Sequence, residues 1–170
     1  MKTLKKIISL ITIFGLLLVF AGCGGGGGGS SDYTLSPEQL EVATFVDAFA
    51  AAIRRENLDE TMRHVFANLQ YPNLTTKNGY TPLKSRLENL FNKAVVDEFT
   101  ITNMGVDVAA SEDIATVRGL LTLKYSVDGS SKAPLSEEIE LYLEKENSRW
   151  GIYYFGGYNK LMTTTFPPAL

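Results

Sequence analysis

The chain has 170 residues, a formal net charge of −3 at pH 7, 45% hydrophobic residues and 21% charged residues. This composition is typical of a folded protein with a hydrophobic core and excludes an intrinsically disordered chain. The acidic balance argues against a nucleic-acid partner, because phosphate contacts need a basic surface. The single cysteine excludes an internal disulfide, and the single histidine argues against a histidine-based metal site, so we expect no metal and no cofactor.

The N-terminus has the parts of an export signal. Residues 1–6 carry three lysines and no acid, and residues 7–21 are apolar apart from Ser9, Thr12 and Gly15. A helix over that apolar stretch would measure roughly 22 Å, which is shorter than the hydrocarbon core of a membrane, about 30 Å thick. The pattern predicts a secretory signal peptide, residues 1–22, that is removed from the mature protein.

The end of this segment, Phe20-Ala21-Gly22-Cys23, resembles the lipobox of bacterial lipoproteins, although Phe20 departs from the usual leucine. The resemblance implies a diacylglyceryl thioether on Cys23, usually with a further amide-linked chain, and two or more acyl chains anchor a protein firmly. We therefore expect an exported protein held in the cell envelope by lipid. Gly24 resembles the outer-membrane-directed case, which in a Gram-negative source faces the periplasm. The alternative is an ordinary secretory signal followed by an unrelated cysteine.

Two segments outside the folded domain are predicted from composition. Residues 23–35 contain six consecutive glycines followed by two serines. Glycine loses the most backbone entropy on ordering, so this segment is expected to be a tether, whose eight glycine and serine residues span roughly 16 Å on average. Residues 159–170 end with two prolines, which exclude a central strand, and are expected to form a C-terminal tail. The domain is therefore expected at residues 36–158.

Helical periodicity predicts three helices in the first half of the domain. Ser36-Pro37-Glu38-Gln39 combines a cap, a proline at the first helical position and a capping box. Asn57 caps a second helix, and Thr81-Pro82 begins a third. The apolar faces are Val42, Phe45, Val46, Phe49 and Ile53 in the first helix, Leu58, Met62, Val65 and Phe66 in the second, and Leu83, Leu87, Leu90, Phe91 and Ala94 in the third.

From Asp97 onward the hydrophobic period changes to two, which predicts four antiparallel strands. A change of phase near Asn103 predicts a bulge in the first of them. The inward positions are Phe99, Ile101, Met104, Val106 and Val108 on the first strand, Ala115, Val117, Gly119, Leu121, Leu123, Tyr125 and Val127 on the second, Ile139, Leu141 and Leu143 on the third, and Trp150, Ile152 and Tyr154 on the fourth.

Charge pairing predicts the register of these strands. A hairpin loop at residues 128–134 would place Lys124 opposite Glu138 and Arg118 opposite Glu144, which gives two complementary pairs on the outer face. A tight turn at Asn147-Ser148 would join the last two strands. On the inner face the same register predicts the pairs Leu123–Ile139, Leu121–Leu141, Leu143–Ile152 and Leu141–Tyr154.

Three helices followed by a bulged meander resemble the nuclear transport factor 2-like superfamily. Two local patterns carry the resemblance, Glu56-Asn57-Leu58-Asp59 after an amphipathic helix and Arg149-Trp150-Gly151-Ile152 in the last strand. It covers residues 36–158 and implies an α+β cone with a pocket, in which three N-terminal helices pack on a curved, bulged, four-stranded antiparallel meander. A different α+β arrangement is the alternative. The superfamily contains enzymes, ligand binders and assembly modules, so the fold alone does not fix the function.

Ketosteroid isomerase is the enzyme prototype of this superfamily, and its catalytic residues have no counterparts here. The resemblance places its oxyanion-binding tyrosine at Phe49, which has no hydroxyl group, and its catalytic base within residues 67–72, which contain no acid. Because that chemistry needs both groups, the sequence argues against an isomerase.

Aromatic residues on the inner face define a candidate pocket for a small apolar ligand, since buried Tyr and Trp can form a polar mouth. A filled core is the alternative. His64 is the only imidazole, and it either lines this pocket as an acid or base or sits at the boundary of its helix's apolar face. The candidate pocket residues are Phe49, His64, Leu121, Tyr125, Trp150 and Tyr154.

Apolar residues at outward positions define a candidate interface. These residues are Leu120, Tyr142, Tyr153 and Phe155. A contiguous patch of this kind marks an interaction site, whereas scattered apolar residues are ordinary surface. The superfamily's usual dimer buries this surface of the sheet, so the resemblance implies a homodimer.

The sequence therefore predicts a non-catalytic, membrane-anchored lipoprotein whose domain binds a small apolar ligand or a partner protein. One alternative is an enzyme of the same fold that uses His64 or a pocket tyrosine. A second alternative is a structural subunit that docks through the outer face of its sheet.

Overall fold

The computed structural model describes residues 35–71 and 76–157. The signal peptide of residues 1–22, the lipidation site Cys23, almost all of the tether and the tail of residues 159–170 lie outside the described residues. The expectations for those segments therefore stay predictions. Among the described residues, no helix has the length and the apolar character needed to cross a membrane.

Residues 35–71 and 76–157 form three helices and six strands in an α+β arrangement, which confirms the predicted class and adds two strands to the predicted four. The strands make one sheet in the order β1-β6-β5-β3-β2, with the short β4 paired to β3. All strand pairs are antiparallel except β1 with β6. The elements are α1 Pro37–Arg54, α2 Leu58–Arg63, β1 Val65–Gln70, α3 Tyr80–Lys93, β2 Val95–Val108, β3 Ile114–Val127, β4 Ser130–Ser131, β5 Leu135–Glu146 and β6 Arg149–Gly156.

Helix α1 begins as the sequence predicts. The Ser36 hydroxyl accepts a hydrogen bond from the Gln39 backbone at 3.2 Å, and the Gln39 side chain accepts one from the Ser36 backbone at 2.9 Å. This reciprocal pair satisfies N–H groups that have no partner within the helix. The helix buries its apolar face against the sheet through Val42, Val46, Phe49 and Ile53.

Side chains from α1 and the residues after it also bind backbone groups of β2, which lies at one edge of the sheet. Three hydrogen bonds, each 2.8 Å long, join the Gln39 amide to the Val106 carbonyl, the Arg54 guanidinium to the Phe99 carbonyl, and the Glu56 carboxylate to the Val96 N–H. They fix the helix along the length of β2, because their partners span most of that strand.

The second helix is shorter than predicted. It ends at Arg63, and Val65 and Phe66, which were assigned to its apolar face, begin β1 instead. Val65 pairs in parallel with Ile152 of β6, and the Ile152 N–H donates to the His64 carbonyl at 2.8 Å. β-Branched and aromatic residues fit a half-buried sheet well, so pairing with β6 outweighs the continuation of a short helix.

The predicted register between the second and third strands of the meander is wrong by four residues. Asp128 and Gly129 form a tight turn, with φ of 50° and 74°, that pairs Val127 with Ser130. The chain then rejoins the ladder with Leu135 opposite Leu123. The predicted loop of residues 128–134 left out this Asp-Gly turn. The turn therefore decides how β3 and β5 are aligned.

The charge pairs change with this register. Lys124 does not face Glu138, and Arg118 does not face Glu144; the predicted partners of Leu121 and Leu123 are wrong for the same reason. Because the error is an even number of residues, each side chain stays on its predicted face. The ion pairs that form are Arg118–Glu140 at 2.8 Å and Lys124–Glu98 at 2.6 Å.

Two other details of the meander are confirmed. The pairing of β2 and β3 shifts beside Asn103, whose φ is 54°, so the predicted bulge is present. Asn147 and Ser148 form a tight turn with positive φ at both residues, and Leu143 faces Ile152 as expected.

A second bulge, not predicted from the sequence, lies near the end of β6. It moves the side chains that follow it to the opposite face of the sheet from the one predicted. The register shifts at Tyr153, so that Tyr154 pairs with Tyr142 and Phe155 pairs with Leu141. Tyr154 was predicted to point inward but lies half-buried on the outer face. Phe155 was predicted to point outward but is buried in the core with 1% of its surface exposed. The extra residue in the bulged strand causes both changes.

Candidate functional site

Phenylalanine rings fill the space between α1 and the sheet where the interior pocket was expected. The centroid of the Phe49 ring lies 6.3 Å from that of Phe99 and 6.2 Å from that of Phe155. Leu121, Tyr125 and Trp150, also predicted to line the pocket, are buried in the same hydrophobic core. Phe155 reaches this position because of the bulge at Tyr153. The predicted pocket residues on the inner face therefore form packed core.

His64 is held by local contacts. Its Nδ1 lies 2.9 Å from the Glu60 backbone oxygen, and since a carbonyl only accepts, Nδ1 carries the hydrogen. The imidazole also packs against the rings of Phe45 and Phe49, with centroid distances of 5.2 and 6.1 Å. Among the described residues, no carboxylate pairs with the ring. The geometry fits a histidine at the edge of the helix's apolar face, which was the alternative to an acid or base.

Trp150 belongs to the contact between α1 and the sheet. The Lys145 ammonium lies 5.3 Å from the centroid of the Trp150 indole and 2.9 Å from a Glu41 carboxylate oxygen. The hydrogen bond from Lys145 lowers the pKa of Glu41. These three side chains fasten the helix to β5 and β6, which is a structural role.

The outer face of the sheet carries a groove with a volume of about 690 Å³. Glycines from three different strands contribute backbone to its floor, and at Gly105 the space above the backbone is open. Its sides include a leucine, a carboxylate and a tyrosine. We call it the outer groove; the floor is formed by Gly105, Gly119 and Gly156, and the sides by Leu120, Glu138 and Tyr154.

The ring of Tyr154 lies across the backbone of Gly156. A Cβ atom at Gly156 would come within 2.6 Å of a ring carbon and 2.7 Å of the hydroxyl oxygen, so the ring occupies the space of the missing side chain. Tyr154 also contacts Tyr142 at a centroid distance of 5.0 Å, and Tyr142 contacts Tyr153 at 6.1 Å. These three residues form a tyrosine row beside the outer groove.

A network of hydrogen bonds connects the groove to the tyrosine row. Arg118 donates to Glu140 at 2.8 Å and to Asp107 at 3.3 Å. The Tyr142 hydroxyl donates to the second oxygen of Glu140 at 3.0 Å, and this hydrogen bond raises the pKa of Tyr142. Burial, followed by the charge of Glu144, raises the pKa of Tyr153. Both phenols are therefore neutral hydrogen-bond donors at physiological pH.

Three of the four residues predicted to form an interface lie on the outer face of the sheet. Leu120, Tyr142 and Tyr153 are half-buried on the outer face as expected, whereas Phe155 is not there and Tyr154 takes its place. The groove was not predicted from the sequence, because its floor depends on glycines that alignment of the strands brings together. The visible signal was Gly156, which departs from the aromatic pattern of β6. Within the described part of the chain, no three His, Cys, Asp or Glu side chains lie close enough to hold a metal ion.

Comparison with known proteins identifies the fold. No family model and no curated protein matches the chain. A nuclear transport factor 2-like protein from Cytophaga hutchinsonii superimposes with a TM-score of 0.57 at 6% identity, covering 72% of this chain and 97% of that one. A ketosteroid isomerase-like protein from Erwinia carotovora gives 0.55 at 16% identity, with coverages of 72% and 95%. A protein of unknown function from Mycobacterium tuberculosis gives 0.56 at 15% identity, with coverages of 69% and 73%.

These similarities agree with the resemblance drawn from the sequence. The domain has a nuclear transport factor 2-like α+β fold, with a sheet of six strands over the described residues. A fold of this kind accommodates unrelated activities, so the function must be argued from the site.

Proposed function

We propose that the mature chain is a non-catalytic lipoprotein of the cell envelope, anchored by lipid on Cys23, and that its cone-shaped domain is a binding module. The anchor is supported by the sequence alone. The only cysteine directly follows Ala21-Gly22 at the end of a short apolar segment. Six glycines then separate it from the domain, as expected of a tether.

The absence of catalysis is supported by the side chains at the expected positions. Phe49 is a core residue without a polar group. His64 binds the Glu60 carbonyl and packs between aromatic rings. Residues 67–72 contain no acid that could serve as a base. The chain thus lacks the proton-transfer pair that the isomerases of this fold use.

One observation carries the assignment of the binding surface. Three phenylalanine rings fill the space between α1 and the sheet, whereas the outer face has a groove of about 690 Å³ and an adjoining row of tyrosines. Tyrosines of this kind give contact area at low entropic cost, because they have few rotatable bonds. We therefore assign ligand or partner binding to the outer face.

The lipid anchor is tested by labelling with palmitate in the expressing bacterium. We expect the wild-type protein to incorporate the label and to sediment with membranes. Cys23→Ser removes the sulfur atom that forms the thioether, so this variant should lose both properties.

A matched control carries Cys23→Ser together with Ser31→Cys, which supplies a thiol outside the lipobox. It should stay unlabelled. Equal labelling of the wild type and Cys23→Ser, or no labelling of the wild type, contradicts the proposal.

The second candidate function is self-association, in which a second copy docks on the tyrosine row. The mutual contacts of Tyr142, Tyr153 and Tyr154 favour it, because half-buried aromatic clusters frequently dominate the energy of an interface. We expect Tyr142→Arg and Tyr153→Arg to weaken the dimer by a factor of ten or more, as measured by gel filtration with light scattering. Asp47→Arg, on the exposed side of α1, is the control and should elute like the wild type. A wild-type monomer whose elution neither tyrosine variant changes rules out this candidate.

A further inference from the structure

We propose that the outer groove binds a small organic cation, an alkyl-substituted ammonium ion, with its charge between Tyr154 and Glu138. This inference rests on the proposed function, because it names the ligand class for the face assigned there. The ligand site is separate from the buried core between α1 and the sheet.

The size and the lining of the groove suit a small molecule. Its volume of about 690 Å³ falls within the range of roughly 300–1,000 Å³ that is usual for such sites. Gly105 allows a ligand to approach the sheet closely, since a Cβ atom placed there would have no atom within 4 Å. Leu120 and the Tyr154 ring provide apolar surface for the alkyl substituents.

The Tyr154 ring at the side of the groove is already held in place without a ligand. The Tyr154 ring lies over Gly156 and is supported on another side by Tyr142, which is itself hydrogen-bonded to Glu140. The face of an aromatic ring attracts a cation through its quadrupole, and the attraction grows when the cation loses water. A ring that is already held in place loses little entropy on binding.

The charges around the groove select a cation over an anion. Arg118 already donates to Glu140 and to Asp107, so its guanidinium is committed to two carboxylates. Glu138 lies opposite Leu120 and two residues from Glu140, and its exposed carboxylate makes no hydrogen bond or ion pair with the described residues. The lining side chains thus carry one positive and two negative charges, and Glu138 is the one that no described residue compensates.

The register brings the carboxylate and the ring together. Gly156 faces Glu140, and Tyr154 reaches across Gly156, so its phenol ends beside the stretch of β5 that carries Glu138 and Glu140. Residues two apart on a strand point to the same face and lie roughly 7 Å apart. An ammonium ion in this space contacts the ring on one side and the Glu138 carboxylate on the other.

The test uses choline and its uncharged carbon isostere, 3,3-dimethylbutan-1-ol, with the mature chain labelled with ¹⁵N at glycine. Backbone amides of Gly105, Gly119, Gly156 and Gly157 report on the groove, and those of Gly24–Gly29 are the internal reference. We expect choline to shift the groove signals saturably and the isostere to bind at least tenfold more weakly. The reference signals should not move.

Three variants identify the contacts. Glu138→Gln and Tyr154→Leu should each weaken choline binding by about three- to tenfold, because each removes one of the two contacts. Tyr154→Phe keeps the ring and should bind within twofold of the wild type. Glu146→Gln, an exposed change on the same strand away from the groove, is the matched control and should bind like the wild type.

Equal binding of choline and the isostere overturns the proposal of a cation but leaves the outer face as a binding surface. Unchanged affinity in Glu138→Gln, or no response of the groove glycines to choline, also overturns it. Failure of the proposed function gives a different result, namely an unlabelled wild-type protein in the palmitate experiment.

Discussion

Phe49→Ala is expected to lower the free energy of unfolding by about 3–5 kcal/mol. The Phe49 ring is 1% exposed and contacts the rings of Phe99 and Phe155. Its neighbours belong to two different strands that are fixed by sheet hydrogen bonds, so they cannot close the cavity that alanine leaves. Urea unfolding followed by circular dichroism measures the loss as a lower midpoint with an unchanged slope.

Leu40→Ala is the matched control, because Leu40 lies on the same helix with 58% of its surface exposed. Its unfolding energy should stay within about 0.5 kcal/mol of the wild type. A loss in Phe49→Ala as small as that in Leu40→Ala would mean that the interior is not packed as described. The assignment of binding to the outer face would then lose its main support.

Gly119→Ala is expected to lower the free energy of unfolding by about 1–3 kcal/mol. A Cβ atom at Gly119 would lie 2.9 Å from both the Ile101 side chain and the Thr102 carbonyl oxygen, which is closer than van der Waals contact allows. Relief of this clash requires β2 to move at its bulge, where backbone rather than a flexible side chain must give way. Thermal or urea unfolding measures the effect.

Gly105→Ala, also in the floor of the groove, is the control for this prediction. No atom lies within 4 Å of a Cβ at Gly105. Alanine there should leave the stability unchanged or raise it by about 0.4–1 kcal/mol, because it restricts the unfolded chain. Similar losses in both variants would show that the close approach of β2 and β3 at Gly119 is not the cause.

The predictions that succeeded depend on signals within a few residues of one another. The cap of α1 was visible as Ser36 to Gln39, and the bulge at Asn103 was visible because aliphatic residues change phase around it. β1 was missed for the opposite reason. Val65 and Phe66 fit a helical face as well as a strand, and their true partner, β6, is distant in the sequence.

The outer face was predicted less completely, because bulges and registers are not determined by alternation alone. Tyr153, Tyr154 and Phe155 are all aromatic, so no contrast in hydrophobicity reveals which of them is the extra residue. Glutamates recur along β5, so more than one register gives Arg118 an acidic partner. Charge pairing therefore did not single out one register, and the backbone conformation of the Asp-Gly turn determines the register between β3 and β5.

The hydrogen bonds between α1 and β2 have a consequence for the behaviour of the protein at high concentration. An uncovered strand edge is a template on which strands of other molecules add, and this is a common route to aggregation. Gln39, Arg54 and Glu56 occupy backbone groups of the long edge strand β2. Helix α1 and the residue Glu56 that follows it thus serve both the core and solubility, since they cover backbone groups on this edge where intermolecular sheet growth would otherwise start.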